Sequence, residues 1–235
     1  MIMVILCAVI AGVLSLVGGI ILVAQKNAEK LAGYAAAFAA GALLATVAFD
    51  LLPHIGHEEG HEPFLLVLAG ILVFFLLELI LNHTSKEKRM APLIVISDFI
   101  HNIIDGAVIA AGFLISVPTG VLMTLTVVAH EVPHEVGDFG LLLHHGVSRK
   151  RTLLFNALSA ACMVVAAGLF FAFGEQNAIS TSWLLGLASG FFLYVAFHVL
   201  LDIHHAGSRK AIWAKTGFMF GGLIIVGLII EILGH

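Results

Sequence analysis

Charge is what this sequence has least of. Asp, Glu, Lys and Arg make up 11% of its 235 residues, where an ordinary soluble domain carries about 25%. Too little polar surface is available to face water on every side, so a soluble globular protein is excluded. Cations are scarcest: Lys and Arg number 11 and the net charge is -4, which leaves no basic footprint for nucleic acid. The two cysteines, Cys7 and Cys162, both lie inside apolar runs, so no disulfide framework is expected. An apolar content of 60% excludes intrinsic disorder, which needs low hydrophobicity.

What the chain does have is long apolar runs. A bilayer core takes about 20 consecutive apolar residues per helix. Eight stretches qualify, near 2–24, 32–53, 64–82, 92–115, 119–143, 152–173, 180–202 and 212–233. Pro53, Pro63, Pro92 and Pro118 fall at their ends, where a missing N–H costs least; Pro133 alone sits mid-span. No Lys or Arg precedes the first run, which therefore reads as a spanning helix and not as a secretory leader.

The cations set the orientation, because Lys and Arg are retained on the cytoplasmic side. Lys26 and Lys30 follow the first span, Lys86, Lys88 and Arg89 the third, Arg149, Lys150 and Arg151 the fifth, and Arg209, Lys210 and Lys215 the seventh. The expectation is an all-α, polytopic integral membrane protein, a single domain over residues 1–235. It has eight transmembrane helices and both termini extracytoplasmic, in a plasma or inner membrane.

Apart from Glu78 and Glu231 near span ends, seven acids fall within these spans: Asp50, Asp98, Asp105, Glu131, Glu135, Asp138 and Asp202. No Lys or Arg lies in a span away from its ends. An ionised carboxylate in hydrocarbon costs several kcal/mol or more, and such residues face the bundle interior and mark ion or proton pathways. The compensating cation must come from outside the chain.

Two clusters concentrate the chemistry. In the fourth span, His101 and Asp105 stand four apart on one helix face, with Asn102 beside them. In the fifth, His130 and His134 form one four-apart pair and Glu131 and Glu135 another, around Pro133. The two spans join at a tight turn near Val117, so His101, Asp105, His130 and His134 meet at one depth. Imidazole with carboxylate suits Zn²⁺ and its first-row neighbours, and the lack of thiolate or Met in either motif argues against copper(I). Asn102 and Glu131, one step round each helix, are placed to hold a second ion. Pro133 cannot donate to the carbonyl of Ala129, which frees main-chain oxygen where the ligands are.

The same residues satisfy H-E-x-x-H, the zinc-metalloprotease pattern in which Glu131 would be the general base between His130 and His134. Against that reading, a hydrolase keeps one coordination position open for water, whereas His101 and Asp105 complete four ligands. Proline inside the motif also disrupts the turn that sets the two histidines.

In the motifs HNxxDG (His101–Gly106) and HExPHE (His130–Glu135) the chain resembles the ZIP (Zrt/Irt-like protein) family of divalent-metal transporters, and the HExPHE form is similar to the subgroup of many animal zinc importers. The likeness extends through Gly137-Asp138-Phe139, Phe155-Asn156, Leu158-Ser159-Ala160 and Gly190 to Ala196. It implies a primary metal site of His101, Asp105, His130 and His134 and a second of Asn102 and Glu131. It further implies import toward the cytoplasm by alternating access, a homodimer and no prosthetic group. The partners are the lipid bilayer and divalent ions, Zn²⁺ first, with Fe²⁺, Mn²⁺, Cd²⁺ and Co²⁺ accepted by the same donors. The chain departs from the family at Leu52-Pro53-His54, where an acidic residue often follows the proline, and at Leu201-Asp202, which lacks the proline.

Other polar residues sketch a path. Asp50, His54, His57 and His61, with Glu58, Glu59 and Glu62, surround the outer loop after the second span. Glu135 and Asp138 follow the histidine motif, and His198 and Asp202 share a face of the seventh span. His144, His145, His204 and His205 end spans at the inner side. Glu78 and Glu231 lie near span ends and read as snorkelling residues. Gly186 with Gly190, and Gly217 with Gly221, have the small-xxx-small spacing of close helix packing. If the outer loop collects cations, replacing His57, His61 and its three Glu lowers uptake at low metal concentration; unchanged uptake makes it a merely solvated loop.

Overall fold

A computed structural model describes residues 1–23, 28–56, 62–83, 90–176, 180–204 and 208–233. The described residues form α1 (Ile2–Val23), α2 (Ala28–Thr46), a π-helical turn (Val47–Leu51), α3 (Leu52–Gly56), α4 (Glu62–His83), α5 (Met90–Ile115), α6 (Val117–His144), α7 (Arg149–Glu175), α8 (Thr181–His204) and α9 (Arg209–Leu233). No strand occurs among them. Six helical segments are long and apolar enough to cross a membrane: Ile2–Ile21, Lys30–Gly56, Ile94–Ile115, Arg149–Glu175, Thr181–His204 and Arg209–Leu233. The two remaining apolar stretches are helical as well. α4 carries a shorter apolar segment, Phe64–Ile80, and α6 has 28 residues but is interrupted by Glu131, Glu135 and Asp138.

Two local features decide where polar groups end up. The first is the π turn: the Leu52 N–H donates to the Val47 carbonyl, five residues back, directly before Pro53, which has no N–H to give. His54 then donates from Nδ1 to the Asp50 carbonyl at 2.7 Å. The second is the junction of α5 and α6, which is Ser116 alone. Its backbone is extended (φ -163°, ψ 162°), and its Oγ accepts from the Thr119 N–H at 3.1 Å, capping α6 with Pro118 in the first turn. So short a connection holds the two motif-bearing helices antiparallel.

The helices pack in two groups. α1, α5, α6 and α7 contact one another, α2, α4, α8 and α9 form the second group, and the groups meet chiefly along α2–α6 and α5–α8. Small residues permit the closest approaches. A Cβ on Gly41 would strike the Met219 carbonyl, and one on Gly222 the Phe38 carbonyl, so α2 and α9 meet backbone to backbone. Gly190 is set in the same way against the Val67 carbonyl of α4. The spacing of Gly217 and Gly221 does not mark a contact: a Cβ at either meets nothing within 4 Å, and it is the neighbouring Gly222 that faces α2. Leu6, Ile10, Val13 and Val17 on α1, and Leu65, Leu68, Leu72 and Leu76 on α4, are exposed, as a lipid-facing surface requires.

Overpacking a filled contact costs about 1–3 kcal/mol. Gly41→Val therefore lowers the apparent melting temperature of the purified chain, while Gly217→Val leaves it unchanged; equal effects would contradict the packing described.

Candidate metal centre

On α5, Asp98, His101, Asn102 and Asp105 follow i, i+3, i+4, i+7 spacing and line one face; all are buried, at 5% exposure or less. On α6, His130, Glu131 and Glu135 are buried at 1% or less, and the His134 and Asp138 side chains are 15% and 21% exposed. Among the described residues no Lys or Arg is buried.

Four of these residues form one compact group: donor atoms of His101, Asp105, His130 and Glu131 all lie within 4.8 Å of one another. His130 Nε2 is 3.2 Å from Asp105 Oδ2, and His101 Nε2 is 3.7 Å from the same oxygen and 3.4 Å from Glu131 Oε2. Donors about 2.0–2.1 Å from a tetrahedral Zn²⁺ lie roughly 3.3–3.4 Å apart, so these separations are those of donors ranged round one ion. The tautomer of His130 agrees. Its Nδ1 is 2.9 Å from the Thr126 carbonyl, which can only accept, so Nδ1 carries the proton and Nε2 presents a lone pair to a carboxylate oxygen. Two lone pairs at that distance need a proton or a cation between them. Both ring nitrogens of His101, Asp105 Oδ1 and both oxygens of Glu131 are buried without a hydrogen-bond partner, where buried polar atoms are ordinarily paired.

His134 stands beside this group. Its ring lies flat on that of His101, 4.2 Å away and 6° from parallel, and its Nδ1 is 4.0 Å from Asp138 Oδ2. Glu131 is thus drawn into the four where the sequence suggested His134.

A second group consists of Asp98, Glu131 and Glu135. Asn102 Nδ2 donates to Asp98 Oδ1 at 2.9 Å, and Asn156 of α7 donates to Glu135 Oε2. Asp98 and Asn156 were not among the site residues expected from sequence. For Asp98 a signal was available, since it lies four residues before Asn102 on the same face. Asn156 sits far along the chain, and although Phe155-Asn156 belongs to the family likeness, nothing in its spacing ties it to Glu135.

Phe191 and Phe192 of α8 close the centre from the other helix group, with ring centroids 5.1 Å from His101 and His130 respectively. A cavity of about 680 Å³ is lined by His134, Asp138, Glu78, His198, Asp202, His144 and Lys215, among other residues. Glu78 does not snorkel away: it accepts from the Tyr194 hydroxyl and lies 3.6 Å from His198 Nδ1. Away from this cavity, Asp50 is buried at 1% with both carboxylate oxygens unpaired, and His54 Nδ1 is 3.4 Å from its Oδ1. His57 and His61 lie outside the described residues.

The chain is similar to known proteins over the region that holds this site. The family described as ZIP zinc transporter matches residues 82–230, a range that holds both motifs and Asn156. The chain is 43% identical over 112 residues to metal cation symporter ZIP14 of Xenopus tropicalis, covering 48% of this chain and 24% of that protein. It is 45% identical over 115 residues to zinc transporter ZIP4 of Mus musculus, covering 47% and 17%, and 36% identical over 154 residues to ZIP14 of Homo sapiens, covering 64% and 29%. The chain spans less than a third of the length of the curated relatives it matches.

If the four-residue group holds the ion, His130→Ala lowers Zn²⁺ affinity by more than the roughly 10–100-fold typical of outer-shell changes, read by chelator competition. His145→Ala, at an exposed α6 end, leaves it unchanged.

Proposed function

The chain belongs to the ZIP zinc transporter family, and from that premise we propose that it carries divalent transition-metal ions, Zn²⁺ first, across a plasma or inner membrane toward the cytoplasm. The observation that carries the reading is a fully buried centre of imidazole and carboxylate donors with no buried Lys or Arg among the described residues to neutralise it. A centre of this kind wants a cation that enters and leaves. Its donor set suits zinc and its neighbours, and on that chemistry Fe²⁺, Mn²⁺, Cd²⁺ and Co²⁺ are further candidates; one relative is named a metal cation symporter.

In this reading the chain is one eight-helix transport domain with both termini outside and works as a homodimer. The ion enters past Asp50 and His54, with His57 and His61 in the loop beyond. It is held by His101, Asp105, His130, Glu131 and His134, with Asn102 and Glu135 adjoining. It leaves by way of Asp138 and the cavity wall at His198 and Asp202. Access alternates between the two sides, with Phe191 and Phe192 of α8 packed beside the centre and His134 on the cavity wall.

The protease reading of H-E-x-x-H loses support from geometry. A general base must be free to meet a metal-bound water, yet Glu131 Oε2 is turned toward His101 at 3.4 Å and sits inside the donor group itself.

Reconstituted into liposomes, the chain takes up Zn²⁺ with competition from the other ions, and Asp105→Ala or His134→Ala abolishes most of that uptake. Tight zinc binding without any uptake, or peptide cleavage that depends on Glu131, overturns the proposal.

A further inference from the structure

Resting on that reading and going beyond it, we infer that Lys215 is a release residue: a fixed positive charge in the cavity wall that keeps the acids there from holding the departing ion. Every other Lys or Arg among the described residues is exposed, near the starts of α2, α7 and α9, whereas Lys215 is half-buried.

Helical phase puts it there. Lys215 heads the stripe of α9 that continues through Met219, Gly222, Val226 and Ile230, all buried, at the i, i+4, i+7 spacing of one face. One step round, the Phe218 ring stacks on Tyr34 of α2, 4.9 Å away and 15° from parallel, which fixes the rotation of α9 at this end. A Cβ on Gly33 would come 3.4 Å from Lys215 Cε and 3.5 Å from its Nζ. The ammonium end thus lies along bare backbone of α2, and both residues line the cavity. A lysine serving only as an interfacial anchor sends its charge out to the headgroups. An apolar side chain at the head of this stripe would also avoid the cost of withdrawing an ammonium from water.

The cavity accounts for the charge. Its wall carries Glu78, Asp138 and Asp202, and among the described residues Lys215 is the one Lys or Arg on it. A cleft lined by one sign of charge concentrates the opposite ion by about 10–10³-fold, which serves capture and works against escape. A divalent ion that has left the histidine centre past Asp138 meets these acids on its way out. Lys215 offsets part of their field. An ammonium has donors and no lone pair, so it competes for carboxylate oxygens without becoming a metal ligand itself. The residue therefore governs how long the cavity keeps the ion and leaves the buried centre untouched.

The test compares the purified full chain with Lys215→Met, which keeps the length of the stem and loses the charge, and with Lys215→Arg, which keeps the charge. Equilibrium dialysis against radioactive Zn²⁺ resolves a tight class, the buried centre, from a loose class in the cavity. In Lys215→Met the loose class tightens roughly tenfold with the tight class unchanged, and the maximal rate of uptake into liposomes falls; Lys215→Arg matches the parent in both. An unchanged loose class in Lys215→Met makes the lysine an interfacial anchor only, and equal losses of uptake in Lys215→Met and Lys215→Arg assign it to packing. Either result overturns the inference. Should Lys215→Met fail to fold, Lys215→Gln, with a polar tip of its own, carries the same comparison. A parent that binds zinc yet moves none strikes at the transport reading instead, and the dialysis still judges the lysine.

Discussion

Everything about this molecule turns on carboxylates that are buried in an apolar bundle with, among the described residues, no buried Lys or Arg to meet them. Asp98, Asp105, Glu131 and Glu135 are all withdrawn from water, and the basic residues that the structure describes stand at helix ends. A protein that needed only stability would gain from apolar residues at these positions. The fold keeps the acids and surrounds them with lone pairs, as a cation-binding interior requires.

Local chemistry delivers those groups to one point. The single-residue junction at Ser116 makes α5 and α6 a tight hairpin, so side chains equally far from the turn share a depth. Within α6, the Thr126 carbonyl fixes the proton on His130 and thereby the direction of its free nitrogen. Within α5, the i, i+4 step from Asp98 to Asn102 ties an amide to an acid. Farther out, backbone-to-backbone contacts at Gly41 and Gly222 anchor the α2–α9 pair.

Much of this was legible beforehand, and the reasons are physical. Helix positions follow from the length of apolar runs, which lipid imposes directly, and the HNxxDG and HExPHE spacings place their residues on helix faces by geometry alone. What sequence could not resolve depends on rotation and on distant segments. Whether Glu131 or His134 completes the compact group is a matter of how α6 is turned against α5, about one residue's worth of helical phase. Glu78 read as a snorkelling acid because its neighbours in the chain are apolar; its actual partners, Tyr194 and His198, come from α8. Gly217 looked like a packing glycine because spacing cannot say which of several small residues faces inward. The π turn before Pro53 leaves no pattern in hydropathy, yet it places the buried Asp50.

The aromatic wall has a mechanical consequence. The donor atoms of the compact group belong to a single hairpin, and what α8 lays against their rings, in Phe191 and Phe192, is hydrocarbon. A shear along that boundary exchanges dispersion contacts, each about 0.1–0.2 kcal/mol per atom pair, and severs no coordination bond. Under the proposed transport reading the bearing surface is greased and the cargo hold is in one piece, so that a loaded site would be able to shift against α8 with its ligands intact.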